Sequence, residues 1–226
     1  TAQISLQSEY GDITALYPFY TTLLVFFKDS IRRIDGTSPD DYSTLPPLVS
    51  GVVGCESFKT IQPVGGDLMF VSREGIHSLQ GAFQFGDIKS SFLSEKLEKS
   101  TAGSFAVATW DDVNKGSGRL DTDAVSAYYS SRNQYWLSFE RTTGTTNSYI
   151  FVGDVRVAHP RIAWTIFDYV AASLTRVDTS RISLADAVSG QVTRDLIVMG
   201  DYSGVVWVHD LQEFDGTSTN ITARFQ

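Results

Sequence analysis

The sequence predicts an all-β chain, a β-propeller-like array of antiparallel four-stranded blades with one short helix. Three observations predict it. An apolar, β-rich run, a tight polar turn and a second apolar run recur at Leu23–Phe27 into Ile31–Ile34, at Leu68–Val71 into Ile76–Leu79, and at Leu196–Met199 into Val205–Val208. The first two copies lie roughly 45 residues apart, the period of a blade rather than of a solenoid coil. Aromatic residues, 12% of the chain, gather in the apolar runs, where large rings fill the space between stacked, twisted sheets.

Taken in order, Ile13, Leu16 and Tyr17 read as a strand and turn leading into the first hairpin, with alternating Ile4 and Leu6 ahead of them. Asp35 to Pro47 is polar, and Pro46-Pro47 removes two backbone donors, so a connecting loop is expected. Gly51 to Cys55 and Ser57 to Val64 are expected as strands entering the second hairpin, whose turn carries Gly75. Over Ser91 to Lys99, Phe92, Leu93 and Leu97 fall at helical spacing behind a Ser94 cap, and this is the one predicted helix. Phe105 to Trp110 reads as a strand and Asp111 to Gly118 as a loop. Ala127–Tyr129, Gln134–Phe139, Ser148–Val152 and Ile162–Phe167 form a four-stranded meander, the most complete blade. Val170 to Leu184 opens the next blade, Ala185 to Arg194 is a loop before the last hairpin, and Gln212 to Gln226 is a polar tail.

With 226 residues, 42% of them apolar and 19% charged, the chain can bury a core without disulfides or structural metal. The one cysteine, Cys55, excludes a disulfide framework and a thiolate zinc site, and is expected as a small buried hydrophobe. No apolar stretch approaches the roughly 20 residues that span a bilayer, and Thr1 to Ser5 shows no basic-then-apolar export pattern. Without such a signal, the acceptor triplet Asn220-Ile221-Thr222 is given no weight. A net charge of −8 with scattered Lys and Arg argues against gripping nucleic acid. About four to five blades can be counted within residues 1–226, the low end for a closed ring. The chain is therefore expected to be a portion of a longer protein, or one whose blades join those of a flanking segment.

Two stretches resemble a known family. Gly54 to Ile61, Gly66 to Leu79, Gly86 to Lys89 and Leu93 to Leu97 look like the propeller segment of the nozzle proteins, or tail tubular protein B, of short-tailed bacteriophages. Tyr128-Tyr129, Tyr135 to Phe139, Tyr149 to Val155 and Trp164-Thr165 are similar to the blade in which such proteins set an aromatic strand, a variable loop and a Trp-bearing outer strand. The resemblance implies a non-enzymatic virion component of the phage tail, assembled in the host cytoplasm as a homo-oligomeric ring of about six copies. Such a ring would wall the genome-ejection conduit, dock other tail or connector proteins, and pass DNA without binding it specifically. An acidic lumen is expected from the net charge.

Candidates for chemistry are weighed against simpler readings. His77, His159 and His209 are far apart and show no metal-ligand spacing, so a structural or exposed role is expected for each. Asp40-Asp41, Asp111-Asp112 and Asp121 with Asp123 could supply the carboxylate pair of a glycosidase, yet aspartate also stabilises turns through its own backbone bonds. Trp110, Trp136, Trp164 and Trp207 could stack on sugars, but packing between blades is the expected role, because Trp commonly fills blade interfaces. Asp201 to Trp207 comes near the Ser-x-Asp-x-Gly-x-x-Trp turn of sialidase-type propellers. Gly116-Ser117-Gly118-Arg119 lacks the Lys-Ser/Thr pair and helix of a phosphate loop. No residue is thus assigned as catalytic, cofactor-binding or metal-binding. The alternatives to a tail component are a propeller module that recognises a protein or glycan partner, and a glycosidase-type hydrolase.

Overall fold

The computed structural model describes residues 11–36, 41–44, 53–79, 123–142, 144–156, 162–178 and 195–209, together with the single positions 93, 97, 110, 113 and 120. The described chain is all-β. It forms four small antiparallel sheets, each an up-and-down meander.

The first sheet orders β1 (Ile13–Phe19), β2 (Thr22–Phe27), β3 (Ile31–Asp35) and β4 (Ser43–Thr44) side by side. The second holds β5 (Gln62–Val64), β6 (Asp67–Val71) and β7 (Ile76–Ser78). The third holds β8 (Val125–Tyr129), β9 (Gln134–Glu140), β10 (Asn147–Asp154) and β11 (Ala163–Phe167). The fourth holds β12 (Ser173–Asp178), β13 (Asp195–Gly200) and β14 (Val206–Val208). The expected four-strand unit is therefore met in the first and third sheets. The second and fourth have three strands each among the described residues.

All three hairpins and the third-sheet meander fall where the apolar runs place them. Other expectations need correction. Ser57 to Val64 is not one strand: Phe58–Thr60 is a 3-10 turn, and β5 starts only at Gln62. The Thr60 hydroxyl donates to the Ser57 carbonyl at 2.7 Å, and the Thr60 backbone N–H reaches the same carbonyl at 3.0 Å, so local bonding outcompetes a ladder. Val53 to Cys55 lies outside any strand. Ser43-Thr44, inside the expected loop, pairs with β3 through Ile34 and Asp35. The predicted helix at 91–99 lies outside the described residues apart from Leu93 and Leu97, which are buried. The predicted strand at 105–110 is described only at Trp110, while the predicted loop at 185–194 and the tail at 212–226 lie outside altogether.

The sheets stack face to face, and period-2 alternation makes each strand serve two interfaces. Leu68 and Phe70 of β6 pack with Ala15, Leu24 and Phe26 of the first sheet. Their neighbours Met69 and Val71 pack with Tyr135, Leu137, Phe139 and Phe151 of the third. On the other face of the third sheet, Ala127, Tyr129, Trp136, Ile150 and Val152 meet Ile197 and Met199 of the fourth. Rings dominate the middle junction: Phe139 and Phe151 stack at 4.3 Å between centroids.

The first strand of each sheet lies at a sheet edge. Two of them contain proline, Pro18 in β1 and Pro63 in β5. A missing N–H is tolerated on an edge strand, where alternate N–H groups face away from the ladder. These edges are also where sheets come closest, with β8 lying against β5 on one side and β12 on the other.

Candidate functional site

The edges of β5, β8 and β12 bound a cleft of about 280 Å³. β5 contributes Gln62 and Pro63, β8 contributes Ser126, Ala127 and Tyr128, and β12 contributes Leu174, Thr175 and Arg176. Side chains of these strands tie the sheets together across it. Gln62 Nε2 donates to the Ser126 carbonyl at 3.1 Å, and the Ser126 hydroxyl donates to the Lys59 carbonyl at 3.0 Å. On the opposite flank, Arg176 Nη1 donates to the Ser130 hydroxyl at 2.9 Å, and that hydroxyl donates to the Asp195 carboxylate. The Tyr128 hydroxyl is spent on Asn133 Oδ1 at 3.0 Å. Partial burial raises its pKa, with the Arg176 charge opposing the rise.

Hydrogen bonds also bring the starts of the first strands to one end of the stack. Asn147 Nδ2 donates to the carbonyls of Asp123, just before β8, at 2.6 Å and of Ala171, just before β12, at 3.2 Å. The Asn147 backbone N–H donates to the Tyr202 hydroxyl of the β13–β14 turn at 3.1 Å. The Ser138 hydroxyl adds a bond of 2.8 Å to Ala171.

The residues singled out from sequence fall elsewhere, and the structure does not gather them. Cys55 is sealed between the first and second sheets, where burial pushes its thiol up to about 12. His77 is buried on β7, its Nε2 2.8 Å from the Ser72 hydroxyl and its ring stacked on Phe70. Burial lowers its pKa to about 4. His209 packs edge-on against Trp136 at 4.7 Å; His159 lies outside the described residues. Asp41 is exposed and Asp123 half-buried, whereas Asp40, Asp111, Asp112 and Asp121 lie outside the described residues, as do residues 116–119 and 220–222.

Trp110 and Trp136 are fully buried, and their indole N–H groups reach the Arg73 carbonyl at 3.3 Å and Gln134 Oε1 at 3.2 Å. Trp164 lies over Gly153, where an added Cβ would stand 2.7 Å from the indole ring, and donates to the Leu93 carbonyl at 2.9 Å. Trp207 donates to Asp201 at 2.9 Å. The other oxygen of Asp201 accepts from Ser203 N–H and hydroxyl and from Val205 N–H, at 2.7 to 2.9 Å. These bonds, the one from Trp207 foremost, hold its carboxyl down at about 2. The near-motif at 201–207 is thus a turn locked by its aspartate.

The cleft residues Gln62, Tyr128 and Arg176 carried no motif. The legible trace was an arginine in an otherwise neutral stretch, Ser173-Leu174-Thr175-Arg176-Val177. Among the described residues, no group of three or more His, Cys, Asp or Glu is placed to hold a metal ion. No helix there is long and apolar enough to cross a membrane. No family model matches the chain, and no curated protein matches it.

Proposed function

We propose that the chain is a wall-building structural protein, a β-propeller segment of a ring-shaped phage tail component of the nozzle kind that its sequence resembles. The observation that carries this reading is the repeated junction. Four meander sheets meet at three successive junctions, the second and third sheets each presenting one face to the sheet before and the other to the sheet after, with the first-strand edges of the last three sheets drawn together. Continued in the same sense, that step turns around an axis lined by first strands, which is the propeller principle. Among the described residues, the Cys55 thiol and the His77 ring are buried within the stack, and the Asp201 carboxylate is occupied by four donors in its own turn.

Docking of neighbours is supported by exposed apolar side chains at the end where the first strands begin. Phe58, shortly before β5, and Tyr169 and Val170, shortly before β12, are between 42% and 63% exposed, as is Tyr202, whose hydroxyl meets Asn147, and exposed apolar side chains suit protein contact. Among the described residues, the first strands carry Arg176 and Asp178 as their charged side chains. A lumen built on these strands would take one positive and one negative side chain from each copy of them and offer DNA few points of attachment.

Native mass spectrometry of the full-length protein, joined to a test of its uptake into virus particles, examines the proposal. A closed ring of several copies that enters particles is expected. A strictly monomeric protein that never enters particles would overturn it.

A further inference from the structure

The cleft between β5, β8 and β12 has one charged side chain in its wall, Arg176. A guanidinium carries five N–H donors in a rigid fork, and one of them, on Nη1, is held by the Ser130 hydroxyl. Because that hydroxyl is itself anchored on Asp195, the fork is braced from one side and keeps donors for a ligand on the other. Gln62 Nε2 gives one hydrogen to Ser126 and retains a second. The Thr175 hydroxyl makes only a long contact of 3.5 Å with the Arg176 carbonyl. Pro63, Ala127, Leu174 and the Tyr128 ring supply the apolar part of the wall.

We propose that this cleft binds a small organic carboxylate, its head on the Arg176 fork with Thr175 and Gln62 beside it, and its short apolar body against Leu174 and Pro63. A carboxylate has two oxygens and one charge, which one fork and two neutral donors can satisfy. A phosphate dianion brings two charges where the cleft wall offers one opposite charge. The net charge of −8 does not forbid the binding, since screening confines distant charges to about 8 Å at physiological ionic strength. The inference stands on the cleft alone, whether or not the sheets close into a ring.

The test is an NMR titration of the whole chain with hexanoate, with hexanol and inorganic phosphate as comparison probes. Hexanoate is expected to shift the amides of Ser126 to Tyr128 and Leu174 to Arg176 saturably, with a Kd on the order of millimolar. Arg176→Gln, a change at an exposed side chain, is expected to weaken it at least about tenfold. Thr175→Val is expected to weaken it about threefold, which keeps the proposal testable should the arginine variant fold poorly. Absence of saturable shifts at those amides, equal binding of hexanol, or unchanged affinity in both variants overturns the site. Phosphate binding as tight as hexanoate overturns the ligand class.

Discussion

Gly54 has no room for a methyl group. A Cβ there would sit on the Phe27 carbonyl and the Lys28 backbone, because the chain at 54–56 is drawn in between two sheets by bonds of 2.9 Å from Cys55 N–H to Phe27 and from Glu56 N–H to Val71. The obstacles are backbone atoms and cannot rotate away. Gly54→Ala is therefore expected to cost about 2 kcal/mol or more, read from urea unfolding; an unchanged midpoint would show that the two sheets are not joined there. His77 sets the pH response nearby. Its pKa falls to about 4 in the fold from an ordinary value of 6.5, so the neutral ring is the native one. The stability this gives is complete above about pH 6.5 and is lost as the pH falls toward 4, by up to the order of 3 kcal/mol. Unfolding free energies measured across that window should fall in the native chain and stay flatter in His77→Phe. Asp201 acts lower, its depressed carboxyl supporting the turn above about pH 4 and releasing it toward 2.

At the scale of elements, the hairpins were legible because β-rich runs flanking polar turns have few other ways to bury both faces. The Gln134–Glu140 and Asn147–Asp154 pair was the clearest, since every residue from Tyr135 to Glu140 is buried. What the sequence hid were elements whose identity depends on a partner. Ser43-Thr44 is too short and polar to declare itself, and becomes a strand only because Ile34 and Asp35 offer an edge. Ser57 to Thr60 has strand-like residues, yet Thr60 bonds back to the Ser57 carbonyl instead. The cleft was illegible for the same reason, since Gln62, Ser126 and Arg176 meet only after three sheets have stacked. Asn147 shows how such stacking is held: its buried amide spans the starts of β8 and β12. Asn147→Ala takes one donor from the Asp123 carbonyl and leaves the Ala171 carbonyl to the Ser138 hydroxyl, and is expected to cost about 1 to 3 kcal/mol. Denaturant unfolding checks this, and an effect below about 0.5 kcal/mol would mean that packing alone holds the two strand starts together.

Over the whole molecule, each sheet covers the apolar face of the next, and the first strands of the last three sheets meet edge to edge. The second strands begin at Thr22, Asp67, Gln134 and Asp195, so the repeat lengthens after the second sheet and a fixed period was not there to be read. What recurs is the junction: alternating residues of β6 and of β9 divide between two cores. This geometry, held by buried rings and inter-sheet hydrogen bonds, is what the proposal of a wall is built on. A density map of the purified full-length assembly, detailed enough to separate sheets, tests that role most directly. Sheets radiating from a hollow axis lined by the strands at 13–19, 62–64, 125–129 and 173–178 are the predicted result; a two-layer sandwich without radial order, or sheets with those strands on the outer rim, would contradict it.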